Sequence, residues 1–302
     1  MHVISASRRT DIPAFHSEWF MNRIRSRLVT VASPFGRRLY KVSLEPKEVI
    51  AIVFWTKNAA PILQCLEELT GRGHCFTFLY TINNYPEFLE PWVPELSQTL
   101  KVVDIMTKRF GSSIIRWRYD TIVFCKGLDR RWHARNFQEL CRHLASHTSE
   151  CIFSFCDYYK KTVKNMDRLV KNYFIPDQAE CKEITEELAE IASETGISLA
   201  SCGHDFLVTG SIRKARCIDT EFLAKVVDSV DRLDAIEKLK PAPTRKECAC
   251  AESRDIGAYD TCVHGCAYCY ANTNLELARK NFSLISSDSD CLDPHRSGIE
   301  AS

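Results

Sequence analysis

Ala51-Ile52-Val53-Phe54-Trp55-Thr56 is an unbroken apolar run of strand length, and Lys57-Asn58 follows it at once. A strand without polar alternation is one covered on both faces, the environment of a parallel sheet. Residues 61–70 have the pattern of a helix that Gly71 would end, and 75–82 read as a second strand. Strand, crossover helix and strand make the unit from which parallel α/β sheets are built.

The same beat recurs outward in both directions. Residues 3–7 predict a first strand, after which Asp11 and Pro13 open a helix with Phe15, Trp19, Phe20, Ile24 and Leu28 at helical spacing. Downstream come helices over 94–110, 132–146 and 178–195, and strands over 114–119, 151–156 and 198–202. Six strands, each leading into a helix, predict an α/β fold: a partial (β/α)6 TIM-like barrel over residues 1–240, with right-handed crossovers.

Polar residues collect just past each strand: Arg8, Arg9 and Asp11, then Lys57 and Asn58, then Asn83 and Asn84, then Arg118 and Asp120, then Asp157, then Cys202 and His204. Such loops build the sites of barrels. Arg8, Arg9, Asp11, Lys57, Asn58, Arg118 and Asp120 are therefore the candidate substrate and catalytic residues. Against this stands the plainer account that charged residues after strands are solvated loop. Arg116 and Arg118 alternate with Trp117 and Tyr119, which puts both cations on one face of their strand. If that face is interior, they need anionic partners such as Asp11, Asp120, Asp157 or a bound carboxylate or phosphate.

Composition excludes little but points one way. The 302 residues are 45% hydrophobic and 26% charged with a net charge of +1, so no global field attracts nucleic acid. No secretion signal and no membrane-length apolar run is present, so a cytoplasmic protein with no membrane partner is expected. Fifteen cysteines, an odd number, argue for reduced thiols rather than a disulfide framework. Cys65, Cys75, Cys125, Cys141, Cys151, Cys156 and Cys181 read as small core residues.

Pro241-Ala242-Pro243 marks the boundary of a cysteine-rich element over 241–282, followed by a Ser- and Asp-rich tail, 283–302, expected to be loosely held. Within the element, Cys262-Val263-His264-Gly265-Cys266-Ala267-Tyr268-Cys269 gives C-x3-C-x2-C spacing, with Gly265 free to take positive φ. Three thiolates suit a [4Fe-4S] cluster with one iron left open, whereas structural zinc asks for four ligands. Cys248 and Cys250, together with Cys202 and Cys217, could form a second metal site, for zinc or an auxiliary cluster, that pins the element to the barrel. Equally, Cys202 and Cys217 could be buried small residues while one of the C-x-C pair flanks the main cluster.

The C-x3-C-x-Tyr-C pattern, with Tyr268 before the last cysteine, resembles the cluster motif of radical S-adenosylmethionine (SAM) enzymes. That resemblance implies a cluster whose open iron chelates SAM, Tyr268 beside the cofactor, and an electron donor as partner. Two features depart from it: the motif follows the sixth strand rather than the first, and Trp55-Thr56-Lys57-Asn58 stands where a Gly-Gly-Glu segment is expected. Ile4 to Pro13, Val53 to Asn58, Trp117 to Asp120 and Asp255 to Asn272 resemble, over nearly the whole chain, a prokaryotic family known as domain of unknown function 1848, which implies a fold and candidate sites but no substrate. The leading expectation is a cytoplasmic radical SAM-like enzyme acting on a small-molecule or polymer substrate. The alternatives are a non-catalytic zinc or electron-transfer protein and, since Tyr268-Cys269-Tyr270 resembles the motif end of spore photoproduct lyase, a nucleic-acid repair lyase, which the near-neutral charge disfavours.

Overall fold

The computed structural model describes residues 1–33 and 38–296. The main sheet has eight strands: β1 (His2–Ala6), β2 (Val49–Thr56), β3 (Phe76–Thr81), β4 (Ile115–Ile122), β5 (Glu150–Phe155), β6 (Ser198–Ser201), β7 (Arg213–Lys214) and β8 (Arg254–Asp255). All neighbours are parallel, and the order is β7-β6-β5-β4-β3-β2-β1-β8. Each of the first seven strands lies beside its predecessor, and the eighth lies beside the first. With crossovers of one hand, such an order sends the connecting helices to one face.

The side chains agree. Phe54, Phe78, Trp117, Tyr119 and Phe153 belong to one cluster with Trp19, Phe20, Leu66, Val103, Phe137, Leu140 and Leu188 from the helices. Phe54 stacks on Phe78 with centroids 4.8 Å apart, and Trp117 stacks on Phe137 of helix Arg130–Leu144 at 5.1 Å. The alternate residues Val53, Trp55, Leu79, Ile152 and Ala200 face the other way, into a second cluster with Cys217, Ile218, Leu223, Ile236 and Cys250. Segment 215–251 therefore covers the second face, and Arg216 and Arg232 within it reach the side where the strands begin. Arg116, fully buried there, donates to Glu150 at 2.6 and 2.8 Å and to the Arg216 carbonyl at 2.7 Å.

Several expectations are corrected. The sheet has eight strands rather than six, and the 241–282 stretch supplies one of them. Among the described residues no ladder joins β7 to β8, so the sheet is not a closed barrel; the Ala251 amide donates to the Ile218 carbonyl across that seam at 3.0 Å. Leu28 does not continue the first helix. That helix, Ser17–Ser26, ends at Arg27 in the left-handed conformation (φ 60°), and Leu28–Ala32 pairs with Leu39–Ser43 as an antiparallel ribbon. Residues 220–237 form two helices, Thr220–Leu223 and Val230–Glu237, because Ser229 takes extended backbone between them. The tail is held against the fold as far as Leu292: the Trp19 indole donates to the Ser289 carbonyl at 2.7 Å, and Cys291 and Leu292 are buried. Residues 297–302 lie outside the described residues. No helix among the described residues is long and apolar enough to cross a membrane.

Two buried histidines carry a pH consequence. His16 faces the Thr261 carbonyl at 3.3 Å, and His133 lies 2.7 Å from the Tyr119 hydroxyl and 3.0 Å from the Val123 carbonyl. Burial lowers both from 6.5 to about 4. Between those values the unfolded chain binds more protons than the folded one, so stability falls as pH falls from 6.5 to about 4. Each histidine should contribute up to about 1.4 kcal/mol per pH unit in that window; urea titrations at several pH values, repeated on His133→Gln, check it as a shallower slope in the variant.

Candidate metal centre at the strand ends

Asp11 is the hub of the strand C-termini. Its Oδ1 accepts from the Ala14 amide at 3.0 Å, capping helix Ile12–Phe15, and from the Thr56 hydroxyl at 2.8 Å. Its Oδ2 accepts from the Lys57 amide at 2.7 Å and faces His264 Nε2 at 2.8 Å. The other ring nitrogen of His264 faces the Trp92 carbonyl at 3.1 Å. His264 stands between Cys262 and Cys266, so this contact fixes the cysteine loop over the ends of β1 and β2. Gly265 turns the loop at φ +73°, where a Cβ would come within 3.0 Å of Pro91 and 3.2 Å of Leu275 and Trp92.

Lys57 reaches Glu90 at 2.8 Å, with the two side chains 14% and 2% exposed. Glu90 also accepts from Asn83 at 3.0 Å and from the Tyr268 hydroxyl. Burial lowers the Lys57 ammonium more than any single neighbour raises it, but the Glu90 charge, Cys266, the hydrogen bond to Glu90 and Asp120 together make the net shift upward. Burial would likewise raise Glu90, and the Lys57 charge with the three donated hydrogen bonds brings it below its ordinary value. Tyr268 is pushed well up, by burial and then by Glu90. The pair is thus ionised, and the phenol stays neutral to donate.

Asp255, in β8, accepts from Ser5 at 3.0 Å, Ser7 at 2.6 Å, the Arg8 amide at 2.9 Å, Arg9 Nε at 3.0 Å and the Gly257 amide at 3.1 Å. Burial would raise it; Arg9, Ser7 and Arg8 hold it below its ordinary value. Arg9 is spent on this clamp, its remaining nitrogens donating to the carbonyls of Asp255 at 2.8 Å and Ala32 at 3.3 Å. Asn58 caps the turn at the Ala60 amide, 3.1 Å away, and touches none of the other candidates. Arg8, which donates to the Ser253 hydroxyl at 2.9 Å and lies 3.7 Å from Asp255, also lies over Trp55 at 5.6 Å, and Arg118 lies over the same ring at 4.9 Å. Arg118 pairs with Asp120, which also accepts from Ser154. The Tyr270 hydroxyl donates to the Arg8 carbonyl at 2.6 Å. The structure therefore brings Arg8, Asp11, Lys57, Arg118, Asp120 and Tyr268 to one mouth and leaves Arg9 and Asn58 as scaffold. Trp55 Nε1 and Arg118 Nε are buried there without a hydrogen-bond partner.

Cys262, Cys266 and Cys269 are free thiols at this mouth. Cys266 feels both of the others electrostatically, and Lys57 acts on Cys266 and Cys269. Burial pushes all three thiols up; amides near Cys262 and Cys269, and Lys57 near Cys266, pull the other way. Among the described residues, no three His, Cys, Asp or Glu side chains converge on one point as a single-ion site requires. A cubane takes its thiolates on separate irons, spread wider than the ligands of one ion. Three soft donors of one loop, with a cation and amides beside them, fit that donor set. A surface cavity of about 300 Å³ lined by Arg116, Glu150, Asp219 and Phe222 lies at the opposite end of the strands, away from this chemistry.

Glu90, His264, Trp55 and Asp255 were not among the candidate substrate and catalytic residues, and Asn83 was named only as one of the polar residues past a strand. Glu90 sits in the loop between β3 and helix Leu96–Phe110 with no motif about it, so nothing local marks it. His264 carried a signal, its place inside the cysteine motif.

A parallel eight-stranded α/β sheet with a cysteine loop folded over its strand C-termini is the class that fold and site define. A family model described as a domain of unknown function (DUF1848) matches residues 3–271, and the chain belongs to that family. No curated protein matches the sequence.

Removing Lys57 should expose how far the mouth depends on its ion pair. Lys57→Met leaves a buried carboxylate unpaired and should cost ~3–5 kcal/mol in urea denaturation, while adding Glu90→Gln should restore part of the loss. Equal losses in the single and double variants would mean that the pair contributes nothing specific.

Proposed function

We propose that the chain is an iron–sulfur enzyme of the radical SAM type, built on a (β/α) barrel parted at one seam, with its substrate at the mouth. What carries the reading is that Cys262, Cys266 and Cys269, in C-x3-C-x2-C spacing, lie at the strand C-termini within electrostatic reach of one another and of Lys57. A strand order in which each neighbour follows its predecessor and the last lies beside the first is that of a (β/α)8 barrel, whose sites form at this edge. It also answers the position of the motif late in the chain: β8 adjoins β1, so a loop after β8 reaches the mouth as directly as a loop after β1.

The three cysteines would hold a [4Fe-4S] cluster, which with SAM would supply one-electron cleavage of a sulfonium C–S bond to a thioether and a carbon radical, the electron coming from an external donor. The protein's own groups do the positioning. Lys57, held by Glu90, sets a positive charge beside Cys266 and offsets the anionic sulfurs. His264, held by Asp11, fixes the loop between two ligands. Trp55 Nε1 and Arg118 Nε, buried without partners, would donate to acceptor atoms of SAM or substrate, since an unsatisfied buried donor costs ~1–3 kcal/mol. Arg8, Trp55 and Arg118 form a layered cationic and aromatic wall suited to an anionic or planar group.

Anaerobic reconstitution should give about four irons and four sulfides per chain, and SAM should alter the EPR spectrum of the dithionite-reduced protein. Cys266→Ala should abolish both. Full iron loading with an EPR spectrum that SAM leaves unchanged, and no 5′-deoxyadenosine formed, would reduce the reading to an electron-transfer cluster.

A further inference from the structure

Four more cysteines meet at the open seam. Cys202 follows β6, Cys217 follows β7, and Cys248 and Cys250 precede β8. The Cys202 and Cys217 sulfurs are 3.8 Å apart, and the Cys217 amide donates to Cys250 Sγ at 3.3 Å. The Cys217 and Cys250 thiols interact, as do those of Cys250 and Cys248. All four are free; three are buried and Cys248 is half-buried.

Packing alone explains two thiols side by side, for cysteine is a common core residue. It does not ask for four, drawn from three chain segments, nor for polar donors aimed at their sulfurs. Besides the Cys217 amide, Arg245 Nη2 donates to Cys202 Sγ at 3.4 Å and the Thr244 hydroxyl donates to Cys248 Sγ at 3.6 Å. A neutral thiol is a weak acceptor that needs none of these, whereas a metal-bound thiolate is stabilised by each.

We propose that Cys202, Cys217, Cys248 and Cys250 form a tetrathiolate zinc site that closes the seam between β7 and β8. Tetrahedral zinc with Zn–S of about 2.3 Å places its sulfurs about 3.8 Å apart, and the Cys202–Cys217 pair already stands at 3.8 Å. Three donors do not yet converge on one point. Closing the shell therefore requires Cys250 and Cys248 to turn toward the pair, and Cys248 has the exposure to do so. Zinc with four thiolates carries a net charge of −2. Two guanidiniums lie beside it, each also paired with a carboxylate: Arg245, on Cys202 and Asp157, and Arg118, which acts electrostatically on both Cys202 and Cys217 and pairs with Asp120. Binding releases the thiol protons to solvent and oxidises nothing. A single ion suits this group better than a cubane, whose thiolates sit on separate irons and stand further apart.

The consequence is mechanical. Among the described residues, the seam between β7 and β8 has no ladder, and the chain leaving it runs through Asp255 into the loop of Cys262. A zinc ion at Cys250 would add an anchor beside the Ala251–Ile218 backbone bond that crosses the seam there.

The test uses the full chain carrying Cys262→Ala, Cys266→Ala and Cys269→Ala, so that its outcome is independent of the mouth cysteines and of the proposed enzyme. Expressed with zinc and dialysed, the variant should retain about one zinc per chain, and cobalt substitution should give thiolate-to-metal charge transfer with tetrahedral d–d bands. Adding Cys217→Ser and Cys250→Ser should remove both signals. A triad variant with native circular dichroism, no zinc and no tetrahedral cobalt spectrum overturns the proposal. Alkylation of the wild-type protein keeps the question answerable if those variants fail to fold: zinc should abolish labelling of Cys248, the most accessible of the four, and labelling that zinc leaves unchanged overturns the site equally.

Discussion

The carboxylate of Asp255 holds the two ends of the chain together. It is largely withdrawn from water, with 16% of its side chain exposed, and it takes five hydrogen bonds, from Ser5, Ser7, the Arg8 and Gly257 amides and Arg9, nearly all of them from residues some 250 positions earlier. A buried charge is tolerated only when its lone pairs are filled, so the partners and their positions are set together. Gly257 belongs to the same constraint, because a side chain there would run into Ser7. With the two residues of β8 pinned beside β1, the following loop has nowhere to go but over the strand C-termini. The cysteine motif owes its place to that carboxylate.

Inside the mouth the same rule decides which charges face which. Arg118 and Lys57 point away from the helix-covered face, into a region where water cannot solvate them fully, and each has an acid at hand, Asp120 and Glu90. Arg116, one step back along β4, is matched by Glu150 and Asp219 instead. Two arginines on one face of one strand thus serve different ends of the sheet. Arg116 closes the end where strands begin, and Arg118 lines the end where chemistry belongs. Asp11 joins the two levels of organisation: it caps a helix, as its place in the sequence implies, and through His264 it also orients the cysteine loop.

How much of this was legible in the sequence can be argued residue by residue. Val49–Thr56 and Phe76–Thr81 were plain because strands buried on both faces are apolar throughout. The alternation of Arg116 and Arg118 with Trp117 and Tyr119 gave the right face, because side-chain direction in a strand has period two. The two-residue strands β7 and β8 left no such trace, since a strand that short has no period. Leu28 was drawn into the preceding helix because apolar spacing continues past Ser26, whereas Arg27 turns the backbone there. Glu90 was silent because its role arises from Lys57, Asn83 and Tyr268, which lie on three other segments.

The sequence by itself determined the α/β class, the polar residues at the strand ends, the C-x3-C-x2-C spacing and the identity of the soft donors, because these follow from local periodicity and from the chemistry of each side chain. Only the tertiary structure decided that the late motif lies over the first strands, that Arg9 and Asn58 are scaffold while Glu90 and His264 belong to the mouth, and that Cys202, Cys217, Cys248 and Cys250 share one seam. The physical reason is that these arrangements depend on pairings between residues tens to hundreds of positions apart. Burying one charged or polar group requires its partner at hydrogen-bond distance, and only the folded chain brings the two together.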